Sequence, residues 1–208
     1  MAFWGAPLPN AGHARSAVRV SLDMIDALAR FNAEGAARGE PPIAIGIGLN
    51  TGSVVIGNMG SRERFDYTIM GDADNLGSRV EGKTKTYQVP LLVTEATARA
   101  LGAEVCREHD ILMREVDRVT VKGKSEPVAL FEVVPRRRRE AVRAILNDFN
   151  TLRERYYEGA WSAAREAARR VLAHSPEDGP TRLLLERVDG FLKEPPQAWR
   201  GVYAFTSK

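Results

Sequence analysis

The chain has 208 residues, 44% of them hydrophobic and 27% charged, the balance of one or two globular domains with sizeable cores. Lys and Arg exceed Asp and Glu by 30 to 27, and Arg136 to Arg139 alone outweigh that excess of +3. With no aromatic interleaving, this run reads as a solvated linker or first helical turn and not as a nucleic-acid surface.

Cys106 is the single cysteine, which excludes an internal disulfide and fits a reducing, cytoplasmic compartment. No apolar run approaches the ~20 residues that cross a bilayer, and the N-terminus lacks the basic region of a signal peptide.

In chain order, Met1 to Trp4 reads as the tail of a strand, broken by Gly5 and two prolines. An opening on a buried strand with no lead-in suggests a missing N-terminal part. From His13 to about Arg38 apolar residues recur at three and four, which predicts a long amphipathic helix stopped by Gly39 and Pro41-Pro42.

Ile43 to Leu49 alternates large apolar residues with Ala44, Gly46 and Gly48. This predicts a strand whose small-residue face lets another layer or a ligand come close. Asn50-Thr51-Gly52 is a turn, and Val54-Val55-Ile56 would return as the second arm of a hairpin. Ser61 to Arg64 reads as an exposed bend, followed by a strand from Phe65 to Met70.

Beyond residue 81 a helix fades through Gly82 to Lys85. Val89 to Val93 is a short buried strand, and Thr94 to Leu101 a short helix ending near Gly102. Strand periodicity from Val105 to Val121 leads into Lys122-Gly123-Lys124, and Pro127 to Val134 is a last strand. The whole is an α+β alternation. After Pro135 only helical patterns remain: one from Tyr156 through Leu172, a stop at His174-Ser175-Pro176, and a partner from Thr181 to Leu192. The end, around Trp199 and Tyr203, reads as an extended segment pinned by its aromatic residues.

The most informative stretch is Asp66 to Glu81. A short strand meets Gly71-Asp72, and Asp72 has the character of a helix N-cap. Leu76 and Val80 would face a core, Ala73 and Gly77 a small flank, and Asn75 and Arg79 a polar face. Asn75 offers an amide to a hydroxyl and Arg79 a guanidinium to a phosphate, one turn apart. On spacing alone, an amphipathic helix with solvated polar residues fits as well.

The run G-D-x-x-N-L-x-x-R, preceded by D-Y-T and followed by V-K-G-K-S-E-P, resembles the class III nucleotidyl cyclases, bacterial adenylate cyclases above all. The likeness extends from Met1-Ala2-Phe3-Trp4-Gly5-Ala6-Pro7 to Val134. It implies the ferredoxin-like, palm-type cyclase fold over residues 1–135, incomplete at its N-terminus, with residues 136–208 a helical tail. In that tail, Tyr156, Gly159, Trp161 and spaced alanines before Pro176 resemble one tetratricopeptide-type hairpin. One such unit cannot bury a core alone, so it would pack on the preceding domain or on a protein partner.

The resemblance further implies conversion of ATP to 3′,5′-cyclic AMP and pyrophosphate in a head-to-tail homodimer. Asn75 falls where the family orients the ribose, and Arg79 where it steadies charge on the α-phosphoryl group. Thr68 falls at the base-selecting position, though a hydroxyl alone separates adenine from guanine weakly. Lys122 matches the lysine on the β- and γ-phosphates, with Lys124 a helper. Two Mg or Mn ions on two aspartates complete the family's site. Both aspartates would lie upstream of Met1, as would one purine-contacting lysine, and Asp66, Asp72 and Asp74 do not replace them. The expected chain is thus part of an adenylate cyclase catalytic domain, inactive alone, in a parent that could be membrane-anchored. The alternative is a non-catalytic dimerisation module derived from a cyclase.

Overall fold

The computed structural model describes residues 1–61, 64–120 and 126–205. The first part runs α1 (His13–Ala36), β1 (Ile47–Leu49), β2 (Val55–Ser61), β3 (Arg64–Met70), α2 (Asp72–Tyr87), β4 (Leu91–Thr94) and α3 (Glu95–Leu101). It continues with α4 (Ala103–Glu108), β5 (Met113–Thr120), β6 (Val128–Val133), α5 (Arg139–Glu158), α6 (Trp161–His174), α7 (Gly179–Lys193) and β7 (Tyr203–Ala204). The α+β expectation holds. Strands β1-β4-β6-β5-β7 form one mixed sheet in that order, and β2 and β3 form a separate antiparallel ribbon.

Alternation along the strands divides the sheet into two faces. Leu91, Val93 and Val133 point toward α1 and α3, where they meet Ala14, Val18, Ile25 and Leu101. Leu92, Val116, Val119 and Leu130 point the other way, into a core shared with Val80 and Tyr87 of α2 and with α5, α6 and α7. The helices after Pro135 therefore close the second face of the sheet. Tyr156, Trp161, Phe191 and Trp199 pack ring on ring where they meet, and Trp199 is pinned as expected.

Several local expectations are corrected. Met1 to Trp4 joins no strand, and Phe3 instead rests beside Tyr67 with ring centroids 6.1 Å apart. The strand expected from Ile43 begins only at Ile47, because the Asn32 side chain occupies both backbone groups of Ile43, at 2.7 and 2.9 Å. The expected hairpin between β1 and β2 does not form. Instead β1 pairs in parallel with β4, and β2 pairs with β3 from Val55↔Met70 to Ser61↔Arg64. Residues 103–108 are helical before the strand β5 starts. The helix expected across 156–172 breaks at Gly159, whose φ of 77° caps α5 by presenting its N–H to Arg155 and Tyr156 carbonyls. The tetra-arginine run takes the helical-turn arm of its expectation, a 3-10 turn over Arg136–Arg138 that leads into α5 at Arg139; its second half is also paired, Arg138 with Glu132 at 2.7 Å and Arg139 with Asp110 at 2.7 Å.

Strand β5 owes its reach toward α7 to a bulge between Glu115 and Asp117. An extra residue there shifts the alternation, so Arg114, Val116, Asp117 and Val119 all come to be buried. The Arg114 side chain is fully buried, bonded to Glu132 at 2.7 Å and to Asp178 at 2.6 Å, with its guanidinium 4.5 Å from the Phe149 ring. Asp178 in turn caps α7 through the Thr181 N–H and hydroxyl. Removing one member of such a set strands the others as buried charge, which costs about 3–5 kcal/mol. Arg114→Met is expected to lower the unfolding free energy by roughly that amount. A urea titration read at unchanged m-value checks it, and a loss under 1 kcal/mol would be incompatible with the buried set.

Candidate functional site

Helix α2 lies directly on the glycine face of the β1 segment. A Cβ built on Gly48 would come within 2.2 Å of the Glu81 amide nitrogen and 2.7 Å of the Gly77 carbonyl. One on Gly46 would meet Thr84 Oγ1 at 2.1 Å, and one on Gly52 the Ala73 methyl at 2.7 Å. The small face expected from alternation thus receives a helix, and Ala73 and Gly77 form the flank that fits it. Val80 is fully buried and Leu76 packs on the same core, as their spacing predicts.

The start of α2 is tied down from the side. Asn50 donates its amide to the Ala73 carbonyl at 2.8 Å and accepts from the Thr94 hydroxyl at 2.7 Å. It thereby links the first turn of α2 to the end of β4. The N-cap is Gly71 and not Asp72, which takes the first helical position; Asp72 and Asp74 place negative charge in the first turn, where the helix dipole favours it. The helix also continues to Tyr87 instead of fading near Gly82, because Lys83, Thr84 and Tyr87 are buried. Burial pulls the Lys83 ammonium below its ordinary pKa.

Asn75 is exposed, its amide donating to the Gly71 carbonyl at 3.3 Å. Arg79, one turn on, is half-buried. Among the described residues it is the one arginine of such burial with no carboxylate partner; Arg114, Arg138, Arg139, Arg153, Arg165 and Arg187 each have one. Thr68 stands in β3 opposite Gly57, so no cross-strand side chain covers it. The Val55↔Met70 pair lies two residues along on the same face, with Val55 70% and Met70 62% exposed. Lys122 and Lys124 lie outside the described residues. So do residues 62 and 63 of the expected bend.

Among the described residues, no three His, Cys, Asp or Glu side chains gather as a metal would require. No described helix is long and apolar enough to cross a membrane. Cys106 is a half-buried packing residue whose thiol pKa burial raises. Asn50 is the residue that sequence reading undervalued, since an Asn-Thr-Gly turn carries no sign of its two distant partners.

A sequence model described as the adenylate and guanylate cyclase catalytic domain matches residues 1–133. "Adenylate cyclase 1" of Rhizobium meliloti is 36% identical over 134 residues, 64% of this chain and 19% of that protein. "Adenylate cyclase" of Anabaena cylindrica is 39% identical over 127 residues, 59% of this chain and 24% of that protein. The chain thus spans about a quarter or less of these relatives. Among solved structures, the adenylyl cyclase CyaB of P. aeruginosa superposes with a TM-score of 0.54 at 29% identity, over 64% of each chain. The guanylyl cyclase Cya2 gives 0.52 at 31% identity, over 62% of each.

The glycine seat generates a sharp expectation. Gly48→Ala must push α2 off β1, since the added methyl would overlap helix backbone and not a side chain that could swing away. A loss of at least about 1–3 kcal/mol is expected, as for an overpacked core. Gly57→Ala, where no atom lies within 4 Å, serves as the control. Equal thermal midpoints for both variants would refute the seat.

Proposed function

Because the chain belongs to the adenylate and guanylate cyclase catalytic-domain family, we propose that it supplies the ribose- and phosphate-facing half of an adenylate cyclase site shared between two subunits. The observation that carries this reading is Arg79, a half-buried guanidinium with no described anionic partner, one helical turn from an exposed amide. Asn75 orients the ribose of ATP. Its 3′-oxygen forms the new bond to the α-phosphorus as the bond to the bridging oxygen breaks; pyrophosphate departs and the hydroxyl proton is lost. Negative charge grows on the α-phosphoryl oxygens during this step, and Arg79 meets it with a planar set of donors. Thr68 contacts the base, and Lys122, helped by Lys124, binds the β- and γ-phosphates.

In this reading the divalent metals are held by carboxylates outside the described set, on a complementary part of the assembly. The ribbon of β2 and β3 supports such an assembly, since one of its faces exposes the paired Val55 and Met70. The same ribbon favours a second reading, a dimerisation module without turnover of its own. Assay decides between them: with ATP and Mg or Mn, an assembly of this chain with the complementary, aspartate-bearing part gives cyclic AMP under the first reading and none under the second.

In that assembly Arg79→Ala should lower kcat by roughly 10²–10³-fold, the usual effect of losing one preorganised donor, with KM for ATP changed far less. Arg79→Lys should rescue little, because an ammonium lacks the fork. Unchanged turnover would sink the assignment. For the ribbon, Val55→Asp combined with Met70→Asp should leave circular dichroism intact while light scattering shows loss of the dimer; a persistent dimer would remove β2 and β3 from the interface.

A further inference from the structure

We propose that the helical layer after Pro135 sets the position of α2 through a buried link of Tyr87, Asp117 and Arg187, with Arg187 the positioning residue for the Asn75 and Arg79 pair. This rests on α2 being the nucleotide-facing helix. Asp117 is fully buried, and its carboxylate receives the Tyr87 hydroxyl at 2.6 Å, Arg187 Nη1 at 2.5 Å and the Arg118 N–H at 2.8 Å. Tyr87 belongs to the last turn of α2 and Arg187 to α7, so one carboxylate on β5 joins the two helices.

Two further contacts grip the same end of α2. Gly179, the first residue of α7, sits so close that a Cβ there would fall 2.4 Å from the Tyr87 carbonyl. Strand β7 pairs in parallel with Val119 and Thr120, and carries Phe205 to 4.1 Å from Lys83 Nζ. Tyr203, on the same strand, lies under the Arg187 guanidinium at 3.6 Å. Asn75, Arg79, Lys83 and Tyr87 recur every fourth residue, a single slowly turning stripe. Its first half faces outward and its second half is held by β5, α7 and the end of the chain.

Stability alone does not account for the link. A buried ion pair is commonly no more stabilising than an apolar replacement of equal volume, and here Arg187 Nη2 is buried without a hydrogen-bond partner. What the link adds is direction: two donors from different helices must converge on one carboxylate, which fixes the axial position of α2. That position matters, because a displacement of about 1 Å at a reacting group can cost around 10²-fold in rate.

The test uses hydrogen exchange on the 208-residue chain, which requires no ATP, together with turnover in the competent assembly. Arg187→Met should raise exchange of the α2 backbone at least about ten-fold while α1 and the β4–β6 pairing stay protected. It should also lower kcat with little change in KM. Arg187→Lys, which keeps the charge, should restore part of both. If Arg187→Met does not fold, Tyr87→Phe and Phe205→Ala decide in its place, since each removes one contact and leaves the charges paired. Exchange that is unchanged in α2, or raised equally throughout the chain, overturns the link. Selective loosening of α2 with unaltered kcat overturns its role in positioning. Should Arg79→Ala also leave turnover unaltered, the reading of the site has failed independently of the link.

Discussion

The separation between α2 and β1 governs the rest of the structure. At Gly46 and Gly48 nothing projects from the strand segment, so the Thr84 side chain seats against the first glycine and the helix backbone of Gly77 and Glu81 against the second. Only a flank without bulk can occupy such a gap, and on α2 that flank is Ala73 and Gly77. Once it faces β1, the rotation of the helix is settled. Leu76 and Val80 must turn into the core, and Asn75 and Arg79 are carried to the opposite, polar side. The polar pair is thereby oriented by residues that never touch it. Asn50 completes the arrangement by tying the first turn to β4, so helix rotation and helix entry are fixed by different contacts.

At its other end α2 meets a layer built by quite different means. The α5–α7 unit covers the sheet with apolar side chains, yet it is fastened to β5 by buried charge: Arg114 with Glu132 and Asp178, and Asp117 with Arg187. Apolar surfaces slide against one another at small cost, whereas buried charges tolerate little displacement before a partner is stranded. The bulge in β5 makes this possible. Arg114 and Asp117 are three residues apart, so regular alternation would put them on opposite faces. The extra residue returns both to the side of α7. A single irregularity in one strand therefore determines that the helical layer docks in one register.

Much of this was legible in the sequence where periodicity was regular. Helix α1, the inward face of α2 and the α3 helix follow directly from spacing, and the close-approach face of Ile43 to Leu49 was readable from its glycines. What could not be read was pairing. The β1 segment looks like one arm of a hairpin with Val54 to Ile56, but long-range hydrogen bonds decide otherwise, with the Asn32 amide occupying Ile43 and β4 taking Ile47 to Leu49. The bulge blurred strand periodicity around residue 116, which hid the inward turn of Asp117. The periodicity of Tyr156 to Leu172 runs through Gly159 without a break, although the left-handed conformation of that glycine is what ends α5. For the site, Asn75 and Arg79 stood out through motif and spacing, while Asn50, Tyr87 and Arg187 gave no local sign because their partners are far away in sequence.

An arginine without a carboxylate partner among the described residues, where the other arginines of such burial have one, calls for a physical reason. Pairing Arg79 internally would be easy on a chain with 27 acidic residues. It would also be self-defeating in the nucleotide site proposed for this helix. A guanidinium already bonded to a protein carboxylate must break that bond before it can meet an incoming phosphate, and the reorganisation would be repeated at every turnover. Held half-buried on a seated helix, the guanidinium loses part of its hydration at the folding stage, and in the proposed site it would have little left to reorganise when charge develops nearby. The destabilisation that this entails falls on folding, where the apolar core beneath Leu76 and Val80 offsets it. The same logic accounts for the division along the polar stripe of α2: Lys83 and Tyr87 are held by β5, α7 and the end of the chain, and Asn75 and Arg79 face outward.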